Sequence, residues 1–166
     1  MNSPYMGKFK VTQIQHSKHD GLDLVGIDDK GIHATISGVV QYAGWENDKD
    51  HKQGFGQYVC IKGADGKYYY YGHLSETKVS TGQIVGVTQL IGIEGNTGYS
   101  TGSHCHYCIR PAFCVGNAYS VSAISGIPNE CGTYDDGYRP ESPAEKAGRK
   151  IEIYIDGQRK YSGLLD

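Results

Sequence analysis

The sequence predicts a mainly β protein of short antiparallel strands, ending in a C-terminal β-hairpin. Three observations carry that prediction. The 166-residue chain holds 24 Gly and 14 Tyr against 3 Phe and 1 Trp, a composition of short strands and turns rather than long apolar helices. Short apolar runs such as Tyr58-Val59-Cys60-Ile61 and Ile84 to Ile93 are separated by turn residues. Near the end, Ile151-Glu152-Ile153-Tyr154-Ile155, Asp156-Gly157 and Gln158 to Gly163 give a strong hairpin signal.

Taken in order, residues 1–7 read as a loose leader. Lys8 to Gln15 reads as a strand carrying Phe9, Val11 and Ile14. His16 reads as a solvated loop residue, and Gly21 lets the backbone between His19 and Asp23 turn tightly. Asp28-Asp29-Lys30-Gly31 reads as a turn, because it lacks the full ligand series of a calcium loop. His33 to Trp45 reads as one strand with a bulge or bend at Gly38, and His33 as structural or exposed. Trp45 to Gly56 is a long polar loop, a candidate groove wall with Trp45 as a candidate substrate contact.

Gln57 to Ala64 and Lys67 to Leu74 pair through the turn Ala64-Asp65-Gly66-Lys67. By strand alternation Tyr69, Tyr71 and His73 share one face, which makes Tyr71 a candidate for the groove border. Gly72 removes a side chain beside His73. Ser75 to Gln83 is a connection, and Ile84 to Ile93 supplies short core strands with Gly breaks. After Arg110-Pro111 the pattern weakens, with a short helix at Val121 to Ser125 and a turn-rich segment from Pro128 to Ser142. The expected organisation is a domain over 8–135, a linker over 136–148, and a hairpin or the start of another module over 149–166.

The stretch with the most chemistry is Gly102-Ser103-His104-Cys105-His106-Tyr107-Cys108-Ile109. On a strand, His104 and His106 project together while Cys105, Tyr107 and Ile109 face a core. A Gly/Ser/Thr loop that includes Asn96 and Thr97 precedes them, and both are candidate substrate contacts. Two imidazoles at a loop mouth suit a metal or a proton-transfer site. His19 with Asp23 four residues on, and Tyr71-Gly72-His73-Leu74, add further partners. Imidazole nitrogen and carboxylate oxygen are ligands that zinc takes at about 2.0–2.2 Å, and a catalytic zinc needs three of them plus an open position. His19, Asp23 and one histidine of the pair make such a set.

HxxxD, then YGHLS, then GNTGxSTGxHxH, in that order, resembles the lysostaphin-type zinc endopeptidase family, also called LytM domains. The resemblance covers about residues 8 to 112. It implies the LytM/lysostaphin groove, a duplicated hybrid motif, and hydrolysis of peptide bonds in bacterial peptidoglycan, in the stem peptide or the cross-bridge. It implies Zn²⁺ on His19, Asp23 and His106, with His73 and His104 as the non-ligand catalytic histidines. The family usually carries an apolar or aromatic residue at Cys105 and often Phe-Glu at Tyr107-Cys108; these departures concern packing and substrate contact. The groove walls are expected in 44–56, 75–90 and 111–135. No HExxH is present, so the glutamate-based mechanism of that class is not available.

Net charge is −2, so no electrostatic pull towards nucleic acid is implied. No apolar run approaches the roughly 18 residues of a membrane span. The first thirty residues lack a secretory signal pattern, so an enzyme acting in the cell wall would leave the cytoplasm by another route or belong to a larger exported chain. That absence, with the terminal hairpin, points to a phage or prophage lytic protein or tail component, acting as a monomer or within a tail assembly. The five cysteines are odd in number and irregular in spacing, which argues against a disulfide framework; most read as small buried hydrophobes. Competing classes are a non-catalytic wall-binding or phage-tail module on the same fold, and a sugar-transport phosphocarrier. The phosphocarrier does not require Asp23.

Overall fold

The structure, a computed structural model, describes residues 1–137, 150–155 and 158–164. Strands β1 (Lys8–Gln13), β2 (Leu22–Gly26), β4 (Gly38–Trp45), β5 (Gln57–Gly63), β6 (Tyr68–Leu74), β8 (Ile84–Val85), β10 (Cys105–Arg110) and β11 (Gly132–Asp135) form one eight-stranded antiparallel sheet. Their order is β11-β1-β2-β10-β6-β5-β4-β8. A smaller sheet joins β3 (Gly31–His33), β9 (Leu90–Ile93) and β7 (Glu76–Thr77) in that order. The expected terminal hairpin is β12 (Lys150–Ile155) antiparallel to β13 (Gln158–Leu164). Most of the linker expected at 136–148 lies outside the described residues.

Period-2 alternation sorts the central strands into two apolar layers. Leu22, Leu24, Val59, Ile61, Tyr69, Tyr71, Cys105, Tyr107 and Ile109 point into the main core, together with Ile32 and Ile91 of the small sheet. Tyr58, Cys60, Tyr70 and Cys108 form a second cluster, covered by Tyr42, Phe55, Tyr68 and Phe113. Cys105 and Cys108 therefore lie on opposite faces, as expected. All five cysteines are free; three are buried, as expected for most of them, and Cys114 and Cys131 are exposed. No helix among the described residues is long and apolar enough to cross a membrane.

Several elements differ from the local reading. Residues 33–45 are two strands, because the chain passes from the small sheet to the large one after His33. The ladder irregularity falls between Val40 and Tyr42, not at Gly38. Gly38 instead permits close approach: a Cβ there would lie 2.1 Å from the Lys62 carbonyl oxygen. β11 hides in the turn-rich segment because its partner, β1, is distant in sequence; Phe9 stands opposite Tyr134. The helix Val121–Ser125 forms as expected, capped by Ser120 and ended by left-handed Gly126.

The leader is not loose. Tyr5 is 1% exposed and its hydroxyl donates to Glu94 Oε2 at 2.6 Å. Glu94 Oε2 also accepts from Gly26 N at 2.8 Å, while Oε1 accepts from Lys30 Nζ at 2.9 Å and Ser103 Oγ at 2.7 Å. One buried carboxylate thus joins the leader, the β2–β3 turn and the loop that enters β10.

Burial acts to raise the Glu94 pKa, but donation from Ser103, Tyr5, Gly26 and Lys30 outweighs it and the net shift is downward. A lowered folded pKa stabilises fully above the unfolded value of about 4.3 and is lost as pH falls through the folded value. Glu94→Gln should cost about 2 kcal/mol in urea unfolding at neutral pH. The gap between wild type and variant should narrow steadily as the pH is taken down through the carboxylate range.

Candidate active site

β10 lies between β2 and β6, and its register builds the site. His106 stands directly opposite Asp23 on β2 and opposite Gly72 on β6. Opposed residues share a face, so Asp23 and His106 meet on the face away from the main core. His106 Nδ1 is 2.9 Å from Asp23 Oδ1, and His19 Nε2 is 3.1 Å from the same oxygen. His19 arrives from the β1–β2 loop, which a bridge between His16 and His19 closes. Gly21 is needed for space rather than for a turn: a Cβ would lie 2.5 Å from the Tyr107 carbonyl oxygen and 2.8 Å from His106 Nε2.

His73 reaches the same face by a backbone reversal. Alternation would send it into the core with Tyr71, but its φ is +62°, in the left-handed region. The shared face expected for Tyr69, Tyr71 and His73 is therefore corrected. Phe55 O accepts from His73 N at 2.7 Å and holds the reversal in place. His104 precedes β10, bridged to Gly95, and its ring centroid is 4.7 Å from that of His73.

Each site histidine has one ring nitrogen committed to an acceptor. Carbonyls only accept, so Nδ1–H donates from His19 to Ile14 O at 2.9 Å, from His73 to Thr97 O at 2.8 Å and from His104 to Gly102 O at 2.8 Å. His106 is turned the other way, with Nε2 3.1 Å from Asp20 Oδ1. The remaining nitrogens, Nε2 of three rings and Nδ1 of His106, are left for the cleft.

The site's charges follow from these contacts. Burial, then the hydrogen bonds from His106 and His19, act on Asp23; the hydrogen bonds dominate and hold its carboxyl well below the usual range. Burial pulls both His19 and His106 down, but Asp23 lifts His19, and Asp20 with Asp23 lifts His106 well above its ordinary value. His73 moves the opposite way. Burial, reinforced by its neighbour His104, pushes it down to about 4.

The cleft has a cavity volume of about 520 Å³ and is lined by the four imidazoles His19, His73, His104 and His106, by Asp23, and by loop residues. Gln13 and Lys18 come from the β1 side, Glu46, Gly54 and Phe55 from the β4–β5 loop, and Tyr99, Ser100 and Thr101 from the loop before β10. The wall expected in 44–56 is therefore present. None of 75–90 or 111–135 lines the cleft.

His19, Asp23, His73, His104 and His106 come together as the sequence indicated. The four candidate substrate contacts do not line the cleft. Tyr71 is fully buried on the core face, and its hydroxyl bonds Thr35 Oγ1 at 2.7 Å. Trp45 stacks on His51, ring centroids 3.6 Å apart. Asn96 Oδ1 accepts from Ser100 Oγ at 2.6 Å, a brace within the loop. Thr97 holds His73 through its carbonyl and ties Gln57 N and Leu74 O through its hydroxyl.

Sequence reasoning missed Asp20, Phe55 and Arg110. A signal existed for two of them. Asp20 lies beside His19, and alternation along β10 puts Arg110 on the face of His106 and Cys108.

His19, Asp23 and His106 form a group whose ligand atoms lie within 4.8 Å of one another. Two imidazole nitrogens with fixed tautomers and one carboxylate oxygen fit the donor chemistry of zinc.

Residues 17–119 match Peptidase family M23. Over 112 residues, 66% of this chain, the sequence is 35% identical to the DD-carboxypeptidase/endopeptidase Mpg of Neisseria meningitidis, of which it covers 24%. Over 95 residues, 57% of this chain, it is 35% identical to lysostaphin of Staphylococcus simulans, of which it covers 18%. The chain thus spans about a quarter or less of the length of these curated relatives. Among solved structures, the catalytic domain of Staphylococcus simulans lysostaphin superposes with a TM-score of 0.59 at 27% identity, over 71% of this chain and 90% of that one. A variant catalytic domain of the prophage-encoded M23 protein EnpA of Enterococcus faecalis gives 0.59 at 26% identity, over 72% and 94%.

The geometry makes a prediction about His73 alone. In the metal-free protein it should stay neutral with the proton on Nδ1 down to about pH 5, because burial holds its pKa at about 4. Long-range proton–nitrogen correlation spectra across a pH series check this, and titration near 6.5 would show that the ring is not buried as described.

Proposed function

This chain belongs to peptidase family M23, and on that premise we propose that it is a zinc endopeptidase that hydrolyses peptide bonds in bacterial peptidoglycan. The observation that carries the reading is the set of committed tautomers: four imidazoles each tie one ring nitrogen to an outer acceptor and turn the other toward a cleft that also holds Asp23, with His19 Nε2 and His106 Nδ1 both meeting Asp23 Oδ1. His19 Nε2, Asp23 Oδ1 and His106 Nδ1 would hold the ion. Zinc bound with an open position supplies Lewis acidity that activates water and polarises a carbonyl.

The remaining steps belong to the chain. Nδ1–H of His73 is tied to the Thr97 carbonyl, so Nε2 presents its lone pair to the cleft and serves as the general base that takes a proton from water. The resulting imidazolium returns that proton to the leaving amine, which completes the proton balance. His104, beside it, has Nε2 available to hydrogen-bond the scissile group. Phe55 gives the cleft an apolar wall, while Lys18 and Glu46 place opposite charges on the β1 side and the β4–β5 loop. A short polar peptide suits such a cleft. The place of action would be the cell wall.

Elemental analysis should find about one zinc per chain in wild type and none in Asp23→Ala. Purified cell walls should be cleared by wild type only, with mass spectrometry of the released peptides naming the bond. His73→Ala and His104→Ala should keep zinc and lose activity by about 10²–10⁴-fold, the usual worth of general acid–base help. Zinc lost together with either histidine would overturn the division between ligands and proton carriers.

A further inference from the structure

His106 is the one site histidine whose outer nitrogen is held by a carboxylate and not by a backbone carbonyl. Its Nε2 is 3.1 Å from Asp20 Oδ1. The other oxygen, Asp20 Oδ2, accepts from Arg110 Nε at 3.0 Å and from Arg110 Nη2 at 2.6 Å. Both guanidinium bonds fall on one oxygen, so the other stays with His106. The Arg110 side chain is 18% exposed and that of Asp20 39%, so the pair is shielded from the guanidinium side and open to water on the carboxylate side.

The guanidinium is itself held. Its carbon lies 5.2 Å from the Phe55 ring centroid and 5.0 Å from that of Tyr70. Phe55 and Tyr70 stack on each other at 5.5 Å, and Phe55 sits 5.6 Å from the His106 ring over the gap left by Gly72. A planar cation suits this aromatic slot in a way a lysine ammonium does not.

Asp20, His106 and Cys108 also bring donor atoms within 4.8 Å of one another, which taken alone resembles a second metal site. The guanidinium already supplies Asp20 with the positive charge that its carboxylate would otherwise take from an ion. Arg110 thus fills the cation's place and leaves Asp20 to face His106.

We propose that Arg110 is a positioning residue for the metal ligand His106, acting through Asp20. By fixing the carboxylate, it keeps the proton of His106 on Nε2 and the Nδ1 lone pair on the ion. Because Arg110 rests on Phe55, the groove wall and the metal ligand are mechanically joined. The inference depends on the zinc-peptidase reading. A carboxylate that orients a ligating imidazole is typically worth about 10–100-fold in metal affinity.

Zinc affinity measured by chelator competition tests this. Arg110→Gln should weaken zinc binding about tenfold or more, with circular dichroism and melting temperature showing an intact fold. Asp20→Ala should weaken it at least as much. Arg110→Gln added to Asp20→Ala should change it less than about twofold, since residues acting through one contact are not additive. In the cobalt-substituted protein, the shifted, exchangeable N–H of His106 should be visible for wild type and lost to exchange for Arg110→Gln. If Arg110→Gln fails to fold, Asp20→Asn, which keeps an acceptor oxygen but loses the ion pair, should show the weakened affinity instead. Wild-type affinity and an unchanged N–H signal in the variants, or losses that multiply in the double variant, overturn the proposal. A wild type that takes up no zinc overturns the peptidase reading and this inference with it.

Discussion

The register of β10 against its two neighbours is the constraint on which the rest of the cleft depends. One side of the ladder puts Asp23 opposite His106; the other puts Gly72 there. A one-residue slip would exchange His106 for Cys105 or Tyr107 and turn a polar centre into core. The register is defended from the other face, where Cys105, Tyr107 and Ile109 are fully packed in the main core. Tyr107 and Tyr71 also share Thr35 Oγ1, a buried hydroxyl pairing that a slip would break. The chemistry on one face is held in place by packing on the other.

The cleft's polar groups are flanked by an apolar cluster. Phe55, Tyr58, Tyr70 and Phe113 stack beside them on the same face of the sheet, with Phe55 reaching Arg110 and His106. Low polarity there strengthens each hydrogen bond and raises the cost of a missing one. This accounts for the completeness of the outer partners: Ile14, Thr97, Gly102 and Asp20 each take one imidazole nitrogen. The left-handed backbone at His73 costs on the order of 1–3 kcal/mol and is offset by the bonds that its N and Nδ1 make to Phe55 and Thr97. Phe55 therefore has three duties, since its carbonyl places His73, its ring fills the Gly72 gap, and its face carries Arg110.

Glu94 performs a matching structural task at the entrance to β10. Its carboxylate gathers donors from Tyr5, Gly26, Lys30 and Ser103. The loop before the histidines is thereby fastened to the leader and to β2, so the site does not hang from a free loop. In the sequence this glutamate reads as one more residue of a turn cluster, and Tyr5 as part of a leader, because neither has a local partner.

Alternation and motif spacing determined much of this protein. The mainly β class, the strands that carry the site, the two faces of β10, the short helix and the five converging residues all follow from patterns a few residues long. Chain-local chemistry suffices there because a strand's period of two is a property of its own backbone. What only the tertiary structure decided depends on partners distant in sequence. It withdrew Tyr71 into the core through Thr35, reversed His73 through a left-handed φ, and turned Asn96 and Thr97 into braces for the loop. It also chose which nitrogen of each imidazole faces the cleft, and set Arg110 on Asp20 some 90 residues away. Residue type and spacing say which groups can reach one another; the register of paired strands says which of them do.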